Sequence, residues 1–154
     1  LGFSVLVLGC QSVLPKPSVK ADEAVAARKF PLASLKTVSI KIAKHTFKAW
    51  VMDSDEKREE GLMYVKAKDF ADDQAMIFVC DDDEPRWFWM KNTEIPLDIA
   101  YFDKNRKLIV VKAGIPFSEE PVPSGKSAKY VVEANDGVFE RLGIGTGAEL
   151  ELSK

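Results

Sequence analysis

The chain has 154 residues, with 22 basic and 24 acidic side chains and a formal net charge of -2. That length suits one domain, able to bury enough surface to fold without disulfide staples. A charge balance this even lacks the basic footprint that phosphate-backbone binding requires, so no nucleic-acid partner is expected.

The first residues, Leu1 to Cys10, are apolar up to a small residue and a cysteine, the form of the h-region and end of a secretory signal. Leu6-Val7-Leu8-Gly9-Cys10 is similar to a bacterial lipobox, in which cleavage after the glycine frees Cys10 for lipidation. The missing initiator Met and basic n-region mark a sequence that starts part-way through the signal. Ten residues are too few to cross a bilayer of about 30 Å as a helix. Residues 11–35 carry Pro15, Pro17 and Pro31 among lysines, serines and alanines, the composition of a flexible tether. A single β domain over 36–154 is expected to follow. The implied address is the bacterial cell envelope, lipid-anchored, on its periplasmic or extracellular face. Gln11 and Ser12, in place of a retaining aspartate, favour the outer membrane.

Within the domain, Val38, Ile40 and Ile42 alternate with polar residues, and Phe47, Ala49 and Val51 repeat the pattern across a turn at Lys44-His45. Asp53 is the expected cap of a short helix, with Glu56 completing a capping box and Gly61 stopping it. Strands are predicted at 76–80, 87–92, 97–102, 108–112, 129–134 and 149–152. A second short helix over 137–142 is expected between Asp136 as cap and Gly143 as stop. Many short strands and few helical residues predict a mainly β fold, a small antiparallel sandwich or barrel.

Few residues are candidates for chemistry. The only histidine, His45, falls in the predicted hairpin turn and reads as exposed, which leaves a His-based zinc site or a Ser-His-acid triad without its parts. Cys80 ends an apolar run and precedes Asp81-Asp82-Asp83-Glu84, whose charge disfavours a thiolate, so it reads as a small buried hydrophobe. The acidic run lacks the spacing and glycine of an EF-hand loop and reads as a solvated turn. Gly143 to Gly147 reads as a tight turn, since no P-loop lysine follows. Trp87 and Trp89 share one strand face and Phe88 and Met90 the other. Trp89 is expected in the core and Trp87 nearer the rim, with an exposed ligand platform as the alternative. Asp98 and Glu133 lie on predicted strands, and if their faces converge with Arg58 and Lys91 they line a pocket; otherwise Arg58-Glu133 and Lys91-Asp98 are structural ion pairs.

The string Trp89-Met90-Lys91-Asn92-Thr93-Glu94-Ile95-Pro96-Leu97-Asp98, together with Arg58, Gly61-Leu62-Met63, Met76-Ile77-Phe78 and Tyr130-Val131-Val132-Glu133, resembles the prokaryotic family called domain of unknown function 192, in order and spacing from Thr37 to Leu152. The resemblance implies a small, mostly antiparallel β domain resembling a jelly roll or sandwich, often exported, with no agreed activity. Arg58, Lys91, Asn92, Thr93, Asp98 and Glu133 match its motif positions. Gln74-Ala75-Met76 departs from the family's tendency to Gly-Met there.

The expected function is therefore that of an exported lipoprotein acting as a ligand- or partner-binding envelope module. Its candidate binding residues are Arg58, Trp87, Trp89, Lys91, Asn92, Thr93, Asp98 and Glu133. The partners are the membrane, through the lipid on Cys10, and a small-molecule, glycan or protein ligand. The alternative is an envelope enzyme using the carboxylate and cation cluster for acid-base chemistry, with catalytic residues unassigned. No metal and no cofactor is expected.

Overall fold

Alternating apolar residues set the first hairpin. In β1 (Thr37–Ile42), Ile40 and Ile42 point into a core, and β2 (His45–Met52) answers with Phe47, Ala49 and Val51. A two-residue turn joins them antiparallel, with Ala43 in the left-handed region. A computed structural model describes residues 28–153; Cys10, the signal-like segment and the tether up to residue 27 lie outside the described residues.

The later strands are β3 (Gln74–Phe88), β4 (Leu97–Phe102), β5 (Leu108–Gly114), β6 (Val122–Asn135) and β7 (Leu150–Leu152). All seven form one curled sheet, a half-barrel in the order β5-β4-β6-β3-β2-β1-β7. At one rim the two outer strands are laced together: Leu150 N–H donates to Arg106 O, and Leu108 N–H to Ala148 O. The mainly β fold agrees with the sequence. One pair, β2 with β3, runs parallel, because the chain crosses back over the sheet between them.

That crossover creates a second core. Inside the curl, Ile40, Phe47, Ile77, Phe102 and Val132 pack with Phe139 of the short helix α2 (Val138–Arg141). On the outer face, Trp50, Met76, Phe78, Ile99, Tyr101 and Val131 pack under α1 (Asp55–Glu60) and the loops around it. Strands β3, β4 and β6 therefore carry apolar side chains on both faces through their central residues. Residues 28–35, read from sequence as the end of the tether, lie against this cover. Leu35 is buried in the outer core, and Arg28 donates to Gly61 O and Met63 O.

Several local expectations need correction. Helix α1 is capped by Ser54, whose hydroxyl accepts from Lys57 N–H; Asp53 instead pairs with Lys57 at 2.7 Å. Gly61, at positive φ, does stop it. Asp136 does not cap α2, whose N-cap is Gly137 in the left-handed region. The run Asp81 to Glu84 is not a turn but continues β3, which extends with β6 as a two-stranded ribbon. The carboxylates of Asp81, Asp82 and Glu84 are tolerated there because they are exposed, with Arg58 and Arg86 pairing with Asp81 and Asp82, while Asp83 is half-buried with its Oδ1 unpartnered among the described residues. Cys80 is buried as expected, and burial pushes its thiol above the usual range, against the pull of Arg86 and Arg58. His45 is half-buried rather than exposed, its Nε2 without a partner among the described residues.

The stretch predicted as a strand over 87–92 is the largest departure. Only Trp87 and Phe88 belong to β3; the chain then turns at Lys91-Asn92. Phe88 and Met90 are the inward pair, Met90 fully buried against Gly114, where a Cβ would lie 2.6 Å from the Met90 sulfur. The tryptophans face out, Trp87 66% exposed and Trp89 40%. The period of two held, but the aromatic pair took the solvent side.

Met90→Ala should therefore cost about 2–5 kcal/mol, the range for truncating a buried methionine. Trp87→Ala should stay within about 0.5 kcal/mol of wild type. Urea midpoints of the two variants check the assignment of faces.

Candidate functional site

Register places Glu133. On β6 it pairs with Met76 of β3 on one side and Ile99 of β4 on the other, so its side chain joins Val131 on the outer face, beneath the crossover. Both flanking residues are apolar, and the carboxyl is 4% exposed. No hydrogen bond or ion pair reaches it among the described residues, an uncommon state for a buried polar group. Burial alone pushes its pKa from 4.5 up to about 8. Tyr101, on β4, has its phenol pushed above the usual range by burial first and by Glu133 second, while its hydroxyl donates to Val122 O.

The carboxyl opens into a cleft. Its inner part, lined by Leu62, Phe78, Phe88, Trp89, Thr93 and Glu133 among others, has a volume of about 20 Å³. The outer part has about 300 Å³ and is lined by Lys29, Glu56, Tyr64, Lys91 and Asn92. Glu59, Glu60, Met63 and Trp89 line both, so the two parts adjoin. The walls are α1 with the turn after it, and the loop that follows β3. These two loops clasp each other: Tyr64 N–H donates to Asn92 O at 2.9 Å, and Asn92 Nδ2 donates to Tyr64 Oη at 2.8 Å. Both residues sit at positive φ, 62° and 54°, a conformation that costs a non-glycine residue energy and persists only where its surroundings hold it.

The remaining walls are fixed by ordinary contacts. Arg58 reaches the inner cavity but is occupied elsewhere: Nη1 donates to Val79 O at 2.6 Å, and Nη2 to Asp55 Oδ1 at 2.7 Å. The Asp55 bond is the main reason its guanidinium is held above its usual range. Lys91 lies over the Trp89 ring, 5.0 Å from its centroid. Thr93 Oγ1 donates to Lys91 O, keeping the turn closed beside the cavity. Glu60 accepts from the backbone N–H groups of Lys29 and Phe30 and faces Arg28, so the entering chain forms part of the rim.

Of the residues proposed from sequence, Arg58, Trp89, Lys91, Asn92, Thr93 and Glu133 line this cleft; Trp87 and Asp98 do not. Asp98 pairs in register with Ala134, one residue from Glu133, and so faces the inner core. There its Oδ2 accepts from Phe139 N–H at 3.0 Å and caps α2 across the fold. The two carboxylates do not converge, and the expected pairs Arg58-Glu133 and Lys91-Asp98 do not form. Ala75, where the family tends to glycine, is buried beside Ala49 in the inner core. Sequence reasoning missed Glu59, Glu60, Met63, Tyr64 and Phe78. The Gly61-Leu62-Met63 motif was the available signal, since a helix stop delivers the next residues to whatever the helix covers.

The fold and this cleft define a small β domain with a buried acid, Glu133, beneath a crossover and without a hydrogen-bond partner among the described residues. The chain belongs to the DUF192 family, described as an uncharacterised conserved group, whose profile matches residues 37–152. Similar solved structures include a Novosphingobium aromaticivorans protein of unknown function, with 30% identity, 83% of this chain and 95% of that one covered, and a TM-score of 0.75. Another, from Sinorhizobium meliloti and described only as a candidate transcription regulator, has 28% identity, 77% and 95% coverage and a TM-score of 0.73. No functionally curated protein matches.

Asp98→Ala should destabilise by about 1–3 kcal/mol, because it strands the buried Phe139 N–H. Lys91→Ala, which removes only an exposed-side stack, should change stability by less than about 1 kcal/mol. Thermal melts of both variants separate the architectural carboxylate from the cleft residue.

Proposed function

We propose that the protein is a lipid-anchored module of the bacterial envelope that binds a ligand in the cleft over Glu133. The observation that carries this reading is the buried Glu133 carboxyl, without a partner among the described residues and lining a small cavity beside the cleft. A carboxyl in that position costs stability, and ligand sites are where such costs are commonly retained. The mouth offers an aromatic face, an amide and charges of both signs. The enzyme alternative needs Asp98 or Glu133 in reach of a substrate, with cations beside it; only Glu133 is so placed, while Asp98 lies on the opposite face, Arg58 is held by Asp55 and Val79 O and Lys91 lies on Trp89, so binding is preferred. The envelope address rests on the lipobox-like Leu6 to Cys10 and the proline-bearing stretch after it.

Two experiments test the two halves of the proposal. Cys10→Ser should move the protein from the membrane fraction to the soluble fraction; equal partitioning of mutant and wild type removes the lipid anchor. For the cleft, the folded state keeps the Glu133 proton between pH 4.5 and about 8 while the unfolded chain has lost it. Stability should thus be greatest below that window and fall as pH rises through it, by up to about 1.4 kcal/mol per unit. Glu133→Gln should flatten this decline and match or exceed wild type at pH 8. Denaturant titrations from pH 4.5 to 8.5 measure it, and a variant with the wild-type slope would show that Glu133 is not a buried unpaired acid.

A further inference from the structure

Three layers of different chemistry follow one another down the cleft. At the mouth, α1 presents Glu56 and Glu59, and Glu59 has no side-chain partner among the described residues. The inner cavity has an apolar wall of Leu62, Met63, Phe78 and Phe88, and Arg58, Glu59, Glu60 and Thr93 complete its lining. The floor is the Glu133 carboxyl.

Each layer restricts the occupant. About 20 Å³ of free volume at the floor holds roughly one water, so a sugar ring or branched group does not enter, and an unbranched chain, the narrowest organic group, requires the lining side chains to move aside. The apolar wall of Leu62, Met63, Phe78 and Phe88 favours a methylene stem lying against it, as apolar surfaces favour the stem of lysine. At the floor, the complement of an unpaired carboxyl is a cation that donates hydrogen bonds, which forms the stronger, charge-assisted kind. An anion there would meet a like charge whenever Glu133 ionised.

We propose that the cleft binds a primary ammonium on an unbranched apolar stem, the chemistry shared by a lysine side chain and a free alkyl amine, with the ammonium seated on Glu133. This rests on the reading of the cleft as a ligand site. Among the described residues, the cations lining the cleft beside Glu133 do not fill the role: Arg58 is held by Asp55 and Val79 O, and Lys91 lies on Trp89. Around Glu133, α1 and its turn bring Arg58, Glu59 and Glu60, the loop after β3 brings Thr93 and Lys91, β4 brings Tyr101, and β3 brings only the apolar Met76, Phe78 and Phe88. Because burial holds the acid protonated up to about pH 8, an arriving ammonium displaces that proton.

Titration calorimetry with n-butylamine, n-butanol and butyrate, at pH 6, 7 and 8 in two buffers of different ionisation enthalpy, tests this on the wild type and Glu133→Gln. The butylamine affinity should rise toward tenfold per pH unit below pH 8, with about one proton released at pH 7. It should drop at least about tenfold in Glu133→Gln, one unit of a charge-assisted bond lost. Nα-acetyl-lysine methylamide against 1,5-diaminopentane then distinguishes a peptide from a free amine as the source. Glu133-dependent binding of butanol or butyrate would overturn the ammonium and leave the cleft a ligand site. Butylamine bound equally by both proteins would overturn the seat on Glu133. No binding of any probe to a folded wild type would overturn the ammonium, and wild-type pH dependence of stability in Glu133→Gln would overturn the site reading itself.

Discussion

Everything in this domain depends on covering a sheet twice. The central residues of β3, β4 and β6 are apolar on both faces, and a sheet left bare on one side would expose Met76, Phe78, Ile99, Tyr101 and Val131 to water. Curling the sheet and plugging it with α2 buries one face. The parallel step from β2 to β3 buries the other, because it obliges some twenty residues of chain to pass over the outer surface. The cleft is a gap in that second cover.

This origin explains the chemistry of the gap. Glu133 occupies a position that the alternation of β6 assigns to the outer core, between two apolar neighbours on adjacent strands. An apolar residue there would close the cover; a carboxyl keeps a polar group in a small cavity that Leu62, Phe78 and Phe88 line together with Arg58, Glu59 and Glu60. Asp98, one register step away, meets the opposite environment, where the open N–H of Phe139 uses it fully. Two acids on neighbouring strands thus have different fates because of a single inversion of face.

Periodicity made much of this legible before any coordinates. Val38, Ile40 and Ile42, and the opposed sides of Val131 and Val132, follow directly from alternation. What alternation does not contain is which face a helix or loop will cover, so Trp89 was assigned to the core when Phe88 and Met90 take that place. Caps supplied from a distance were equally hidden: local spacing pointed to Asp136 for α2, and the acceptor came from Asp98 on another strand. The acidic run at Asp81 read as a turn because strand propensity assumes a covered sheet, and the β3–β6 ribbon is uncovered. Four cleft residues, Trp89, Lys91, Asn92 and Thr93, were legible because the motif string lies in one of the two loops that clasp, and Arg58 and Glu133 because they match motif positions on α1 and β6.

The irregularity in that ribbon has a mechanical consequence. Between Val79 and Glu84 β3 advances five residues while its partner advances two, from Tyr130 to Ala128, before pairing resumes. A sheet transmits register rigidly, and a slip of one residue would turn Glu133 inward and Val132 outward. The bulged segment acts as a slip joint: length changes or sequence drift in the exposed ribbon are absorbed there, and the pairing of Met76 with Glu133 is left undisturbed. The part of the molecule most open to variation is thereby uncoupled from the one residue whose orientation the cleft cannot lose.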